Sequence, residues 1–165
     1  MKNITISNIC LPMAAMILTA VLVIPTAAQK QVPFQGALQG HDTDSPGPSP
    51  GTLVVATSGT GIAAHLGQFL FNQESTLDLA AGTATGFAHF IAANGDSIYT
   101  TLTGSGEPTD TPGVFRITDI HTIIGGTGRF AEAKGSFTVE RLASAMTFLT
   151  SGSFHGSITT VGSAH

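Results

Sequence analysis

The sequence predicts an all-β domain in the form of a closed or nearly closed antiparallel barrel. Three observations point there. Period-two alternation of apolar and polar residues runs through most of the chain after residue 30, glycines recur inside those runs, and no stretch holds a helical period long enough for a convincing helix. At 165 residues the chain has material for one hydrophobic core and not for two.

Residues 1–28 have the pattern of a secretory signal peptide. Lys2 stands near the start, an apolar run extends from Leu11 to Ile24, and Pro25-Thr26-Ala27-Ala28 places small residues where cleavage is recognised. The run is short for a membrane span and no basic stop signal follows it, so removal before Gln29 is expected, with no membrane attachment afterwards. Cys10 is the only cysteine and would leave with this segment, so the exported domain, residues 29–165, must be held together without a disulfide. A secreted or periplasmic location follows.

In that domain, Val32, Phe34 and Leu38 share one parity with Gly36 and Gly40, and Gln31, Gln35 and Gln39 take the other, which predicts a first strand over 31–40. Residues 41–51, rich in Pro, Gly, Ser and Asp, are expected to form a flexible loop. Strands are expected next over 52–60, over 68–79 with Phe69, Phe71 and Leu77 on one face, and over 83–93. Asn94-Gly95 is the strongest hairpin signal, because a type I′ turn needs positive φ at both positions, and 97–103 forms the returning strand. Residues 104–113, with Pro108 and Pro112, are expected to be a second flexible loop. The closing strand is placed at 145–160, with Met146, Phe148, Phe154 and Ile158 on one parity.

The most distinctive stretch lies between the last loop and the closing strand. From Val114 an alternating run reaches Gly125-Gly126-Thr127-Gly128-Arg129-Phe130, and a second alternating run begins at Gly135. The glycines free the backbone for tight reversals, and residues 129–134 have room for a turn or two of helix only. Residues 126–131 also fit the loose pattern G-x-G-x-x-A. A phosphate cradle, however, needs a full helix and then a parallel strand, and Gly135 cuts the helix off, so a structural corner is expected.

Composition narrows the function classes. Charged residues make up 10% of the chain, and the net charge is −4. Lys and Arg stand singly along the sequence with no basic stripe, which argues against nucleic acid as a partner. His41, His65, His89, His121, His155 and His165 are scattered without metal-site spacing, so neither a metal nor another cofactor is expected. No serine sits in a nucleophile elbow.

The candidate site is a lumen cluster. Asp119 and His121 share parity with Phe115, Ile117 and Ile123, so if that face points inward a carboxylate and an imidazole enter an apolar interior together. A carboxylate beside an imidazole fixes its tautomer and raises its basicity. Arg141 lies on the parity of Phe137 and Val139, and Gln73 on that of Phe71 and Leu77, which brings both within the same cluster, with Arg141 expected to bond Asp119. The structural alternative is an internal Asp119–Arg141 ion pair, or the same groups at a barrel mouth in water.

The corner motif Gly125, Gly126, Gly128, Arg129 and Phe130, continued by Ala133 and Gly135, resembles that of the allene oxide cyclase and dirigent proteins. The resemblance implies an eight-stranded antiparallel β-barrel, commonly trimeric in plants, that binds apolar or phenolic small molecules. His65-Leu66-Gly67-Gln68-Phe69, Ala92-Ala93-Asn94-Gly95-Asp96 and Phe137-Thr138-Val139-Glu140-Arg141 are similar to uncharacterised secreted bacterial proteins of this type, a similarity that brings no function with it. None of the catalytic residues of those families can be matched to positions in this chain. Three functions stand at this stage: a binder of an apolar small molecule in the lumen, an isomerase or cyclase acting there, and a structural or adhesive extracellular protein. The first two need an open lumen with polar groups; the third needs a filled one.

Overall fold

The structure, a computed structural model, describes residues 30–159. The expected leader over 1–28, with Cys10, and His165 lie outside the described residues. Eight strands follow one another in chain order: β1 (Gln31–Pro46), β2 (Thr52–Ala63), β3 (Gly67–Asp78), β4 (Thr83–Ala92), β5 (Ser97–Pro108), β6 (Val114–Gly126), β7 (Gly135–Ser144) and β8 (Leu149–Thr159). Each pairs antiparallel with its sequence neighbours, and β8 returns to β1, so the sheet is a closed antiparallel barrel with no free edge. A single 3-10 turn at Gly128–Phe130 is the one helical segment among the described residues.

Alternation decides what fills the barrel. On β1, Phe34, Leu38 and Asp42 are buried while Gln35, Gln39 and His41 face out; on β6, Asp119, His121 and Ile123 are buried while Ile120, Thr122 and Ile124 face out. The inner face is mostly aromatic at the corner end. Phe34, Phe137 and Phe154 meet with ring centroids 5.2 Å apart, and Phe90 lies 5.6 Å from Phe137 and 5.7 Å from Phe69. Inward Gly59 makes room for this packing, since a side chain there would run into the Phe71 ring and the β1 backbone. Phe130 and Ala133, fully buried, plug that end.

Three expectations about extent are corrected. The expected loop over 41–51 is strand up to Pro46, because 42–46 pair with 53–57 of β2 beyond the point where β8 stops, and Pro46 ends the strand where its missing N–H costs least. The expected loop over 104–113 is likewise strand up to Pro108, paired with β6 as far as Phe115. The closing strand begins at Leu149 and not at Ala145. Ser144–Phe148 is a turn, Phe148 has φ of +59°, and Met146 and Phe148 are exposed instead of joining Phe154 and Ile158 inside.

Candidate functional site

The charged residues of the inner face gather in the half of the barrel opposite the corner. Arg141, on β7, donates from Nε to Asp119 Oδ2 at 3.2 Å and from Nη1 to Thr150 Oγ1 at 3.0 Å. Its Nη1 also lies 3.6 Å from Asp42 Oδ2. Asp42 is fixed from the other side by the Thr57 hydroxyl, which donates to Oδ1 at 2.6 Å, and Thr150 in turn donates to the Leu142 carbonyl at 3.1 Å. Exposure is 2% at Asp119, 8% at Asp42 and 9% at Arg141. In so dry a place, charges persist only when paired and hydrogen-bonded, and here one guanidinium serves two carboxylates.

The sequence placed Asp119, Arg141 and Gln73 on this inner face, and all three are there. Asp42, Thr57 and Thr150 complete the cluster. Their signal was present: each continues an inward parity, Asp42 that of Phe34 and Leu38, and Thr150 that of Phe154. Reading residues 41–51 as a loop hid Asp42.

His121 is buried as expected, at 1% exposure, but not as a partner of Asp119. Its ring stacks on Phe137 with centroids 4.7 Å apart and planes 6° from parallel, and Phe90 packs against it edge-on at 5.8 Å. Nδ1 and Thr100 Oγ1 are joined by a hydrogen bond of 2.9 Å, and Nε2 is buried without one. Burial, and then the charge of Arg141, lower its pKa to about 3. The imidazole is therefore neutral at physiological pH and belongs to the aromatic packing, so the expected Asp119–His121 acid–base pair does not form.

Gln73 is also corrected in part. It is inward and 8% exposed, directly opposite Thr57 across the β2–β3 ladder, but it bonds neither Asp119 nor any other described side chain. Gln73 and the Arg141 Nη2 group lack protein partners, yet neither is among the sealed-off polar atoms, so both border space that water can enter. Beyond them, towards the rim, inward Leu53, Val55, Leu77, Gly104, Gly106 and Ile117 are only half-buried. The cluster thus lies beneath a ring of half-buried, mostly apolar residues at the end of the barrel opposite the corner. A Cβ at Gly104 would meet Asp119 Oδ1, so a larger residue there would displace that carboxylate.

The corner sits at the far end. Thr127 and Ser97 bond through backbone and side chains, with Thr127 N to Ser97 O at 2.9 Å and Ser97 N to Thr127 Oγ1 at 3.0 Å. Arg129 Nε lies 3.3 Å from Asp96 Oδ2, and its guanidinium lies 5.0 Å from the Phe130 ring centroid. Gly125, Gly128 and Gly135 all have positive φ, and β7 follows the turn antiparallel to β6, so no helix N-terminus is offered to a phosphate. On the outer wall, two open grooves of about 990 Å³ and 680 Å³ cross the strands. The larger is lined by outward residues that include Ile62, Leu70 and Ile91.

No known family profile matches the chain, and no curated protein does either. Among solved structures, the barrel is similar to that of the pterocarpan synthase dirigent protein GePTS1, with a TM-score of 0.52 at 13% identity over 82% of this chain and 90% of that one. The chain therefore has the closed eight-stranded barrel fold of the dirigent type.

Proposed function

We propose that this protein is a binder of apolar small molecules, with the ligand seated in the barrel mouth above the Asp42–Arg141–Asp119 floor. The aromatic packing fills the corner half of the lumen, so the site is confined to the other half. The carrying observation is the pair of unengaged polar groups at that floor, the Gln73 amide and Arg141 Nη2, beneath half-buried Leu53, Val55, Leu77 and Ile117. Apolar walls with a few convergent polar groups suit an apolar ligand with one polar end. The leader expected from the sequence supports a site of action outside the cytoplasm. Outward Leu70, Phe87 and Ile120 are exposed on neighbouring parts of the wall, which supports association of copies of the chain.

A cyclase is the second reading, favoured by the similarity to a barrel described as a pterocarpan synthase. Its chemistry would fall to Asp119 and Arg141, because His121 is walled into the aromatic packing. Titration with Nile red tests the site itself. The expected result is saturable binding that is lost in Gly104→Val, which crowds Asp119 and the mouth, and kept in Leu70→Ser in the outer groove. The reverse pattern would move the site outside and support the adhesive reading.

A further inference from the structure

We propose that the mouth selects ligands whose polar end is a protonated amine, an inference that rests on the mouth-binding reading above. Charge on the inner wall is unbalanced. The inward parity of the upper half carries Asp42, Asp119 and, two residues above Asp42 at the rim, the exposed Asp44, against Arg141 alone. Among the described residues, no other basic side chain faces the mouth. Arg116 points outward, Arg129 and Lys134 belong to the corner, and Lys30 precedes β1 at the corner end.

The acceptors are also in place. Asp119 spends Oδ2 on Arg141, while its Oδ1 lies against Gly104 and accepts no hydrogen bond. Gln73 is more than nine-tenths buried, faces inward opposite the residue that holds Asp42, and has a carbonyl with no donor. Thr57, Thr150 and Ser75, the remaining buried polar side chains at this level, are neutral, and His121 below them is neutral as well. An ammonium group would satisfy these acceptors and offset the excess negative charge. A carboxylate could reach only the free Nη2 of Arg141 and would meet three carboxylates around it.

The test compares octylammonium, octanol and octanoate, equal in chain length, by isothermal titration of the purified protein at pH 7. The amine should bind tightest, by about tenfold or more over the alcohol, with octanoate weakest. Asp42→Asn keeps an acceptor for Thr57 and should remove most of that advantage, and Asp44→Asn, at the exposed rim where folding is not at stake, should remove part of it. Octanoate binding as tightly as the amine, or an amine advantage unchanged in both variants, would overturn this inference and leave the mouth as a binding site. Failure of all three probes to bind would overturn the mouth-binding reading along with it.

Discussion

Asp119 and His121 leave β6 on the same side, two residues apart, and no hydrogen bond or ion pair joins them. Side chains at i and i+2 of a strand are separated by about 7 Å of backbone rise, so each is claimed by its cross-strand surroundings instead. Asp119 turns to Arg141, and His121 lies flat on Phe137, its directly paired neighbour on β7. The inner face is thereby divided into a polar floor and an aromatic plug.

The floor depends on pairing. Arg141→Met strands two buried carboxylates, Asp42 and Asp119, and should destabilise the protein by about 3–5 kcal/mol in urea unfolding. The triple variant Asp42→Asn/Asp119→Leu/Arg141→Met removes all three charges and should cost clearly less than the single one. Equal losses would mean that the cluster contributes packing alone.

His121 gives the fold a pH dependence. In the unfolded chain the imidazole takes up a proton near pH 6.5, whereas in the fold it does so only at about 3. Between those values the unfolded state binds more protons, so stability falls as pH drops from 6.5, by up to about tenfold in the unfolding constant per pH unit. Urea midpoints between pH 5 and 7.5 should show this slope in the natural protein and a flatter one in His121→Phe. An identical slope in both would place the titrating group elsewhere.

The corner should be intolerant at one glycine. Gly128 has φ of +56°, and a Cβ there would collide with the Asp96 carboxylate, which is bound to Arg129. Gly128→Ala should cost about 1–3 kcal/mol, more than Asp96→Ala, which gives up a partly exposed ion pair and an exposed hydrogen bond from Asn94 Nδ2. Melting temperatures in the opposite order would show that the ion pair, not the backbone, holds the corner.

Much of this was legible in the residues. Alternation located all eight strands, and Asn94-Gly95 and the glycine corner marked two of the reversals, but the type I′ turn expected at Asn94-Gly95 does not form: Gly95 alone has positive φ there, and its N–H closes a turn onto the Ala92 carbonyl at 2.9 Å. Parity also carried Asp119, Arg141 and Gln73 to the inner face. What stayed hidden depended on strand length and on packing across the barrel. Pro46 and Pro108 read as loop residues, yet each stands at the last rung of a ladder, so β1 and β5 run further than expected and Asp42 enters the site. The stacking of His121 on Phe137 is set by strand register, which alternation within one strand does not encode.

The central claim is that the mouth floor is a ligand site. Side-chain ¹⁵N–¹H resonances of Arg141 and Gln73 report on it directly. On titration with octylammonium, the Arg141 Nε–H and Gln73 amide signals should shift together and saturate with one affinity, while backbone amides of Leu70 and Ile91 on the outer groove stay in place. Shifts confined to Leu70 and Ile91, with Arg141 and Gln73 unmoved, would contradict the account.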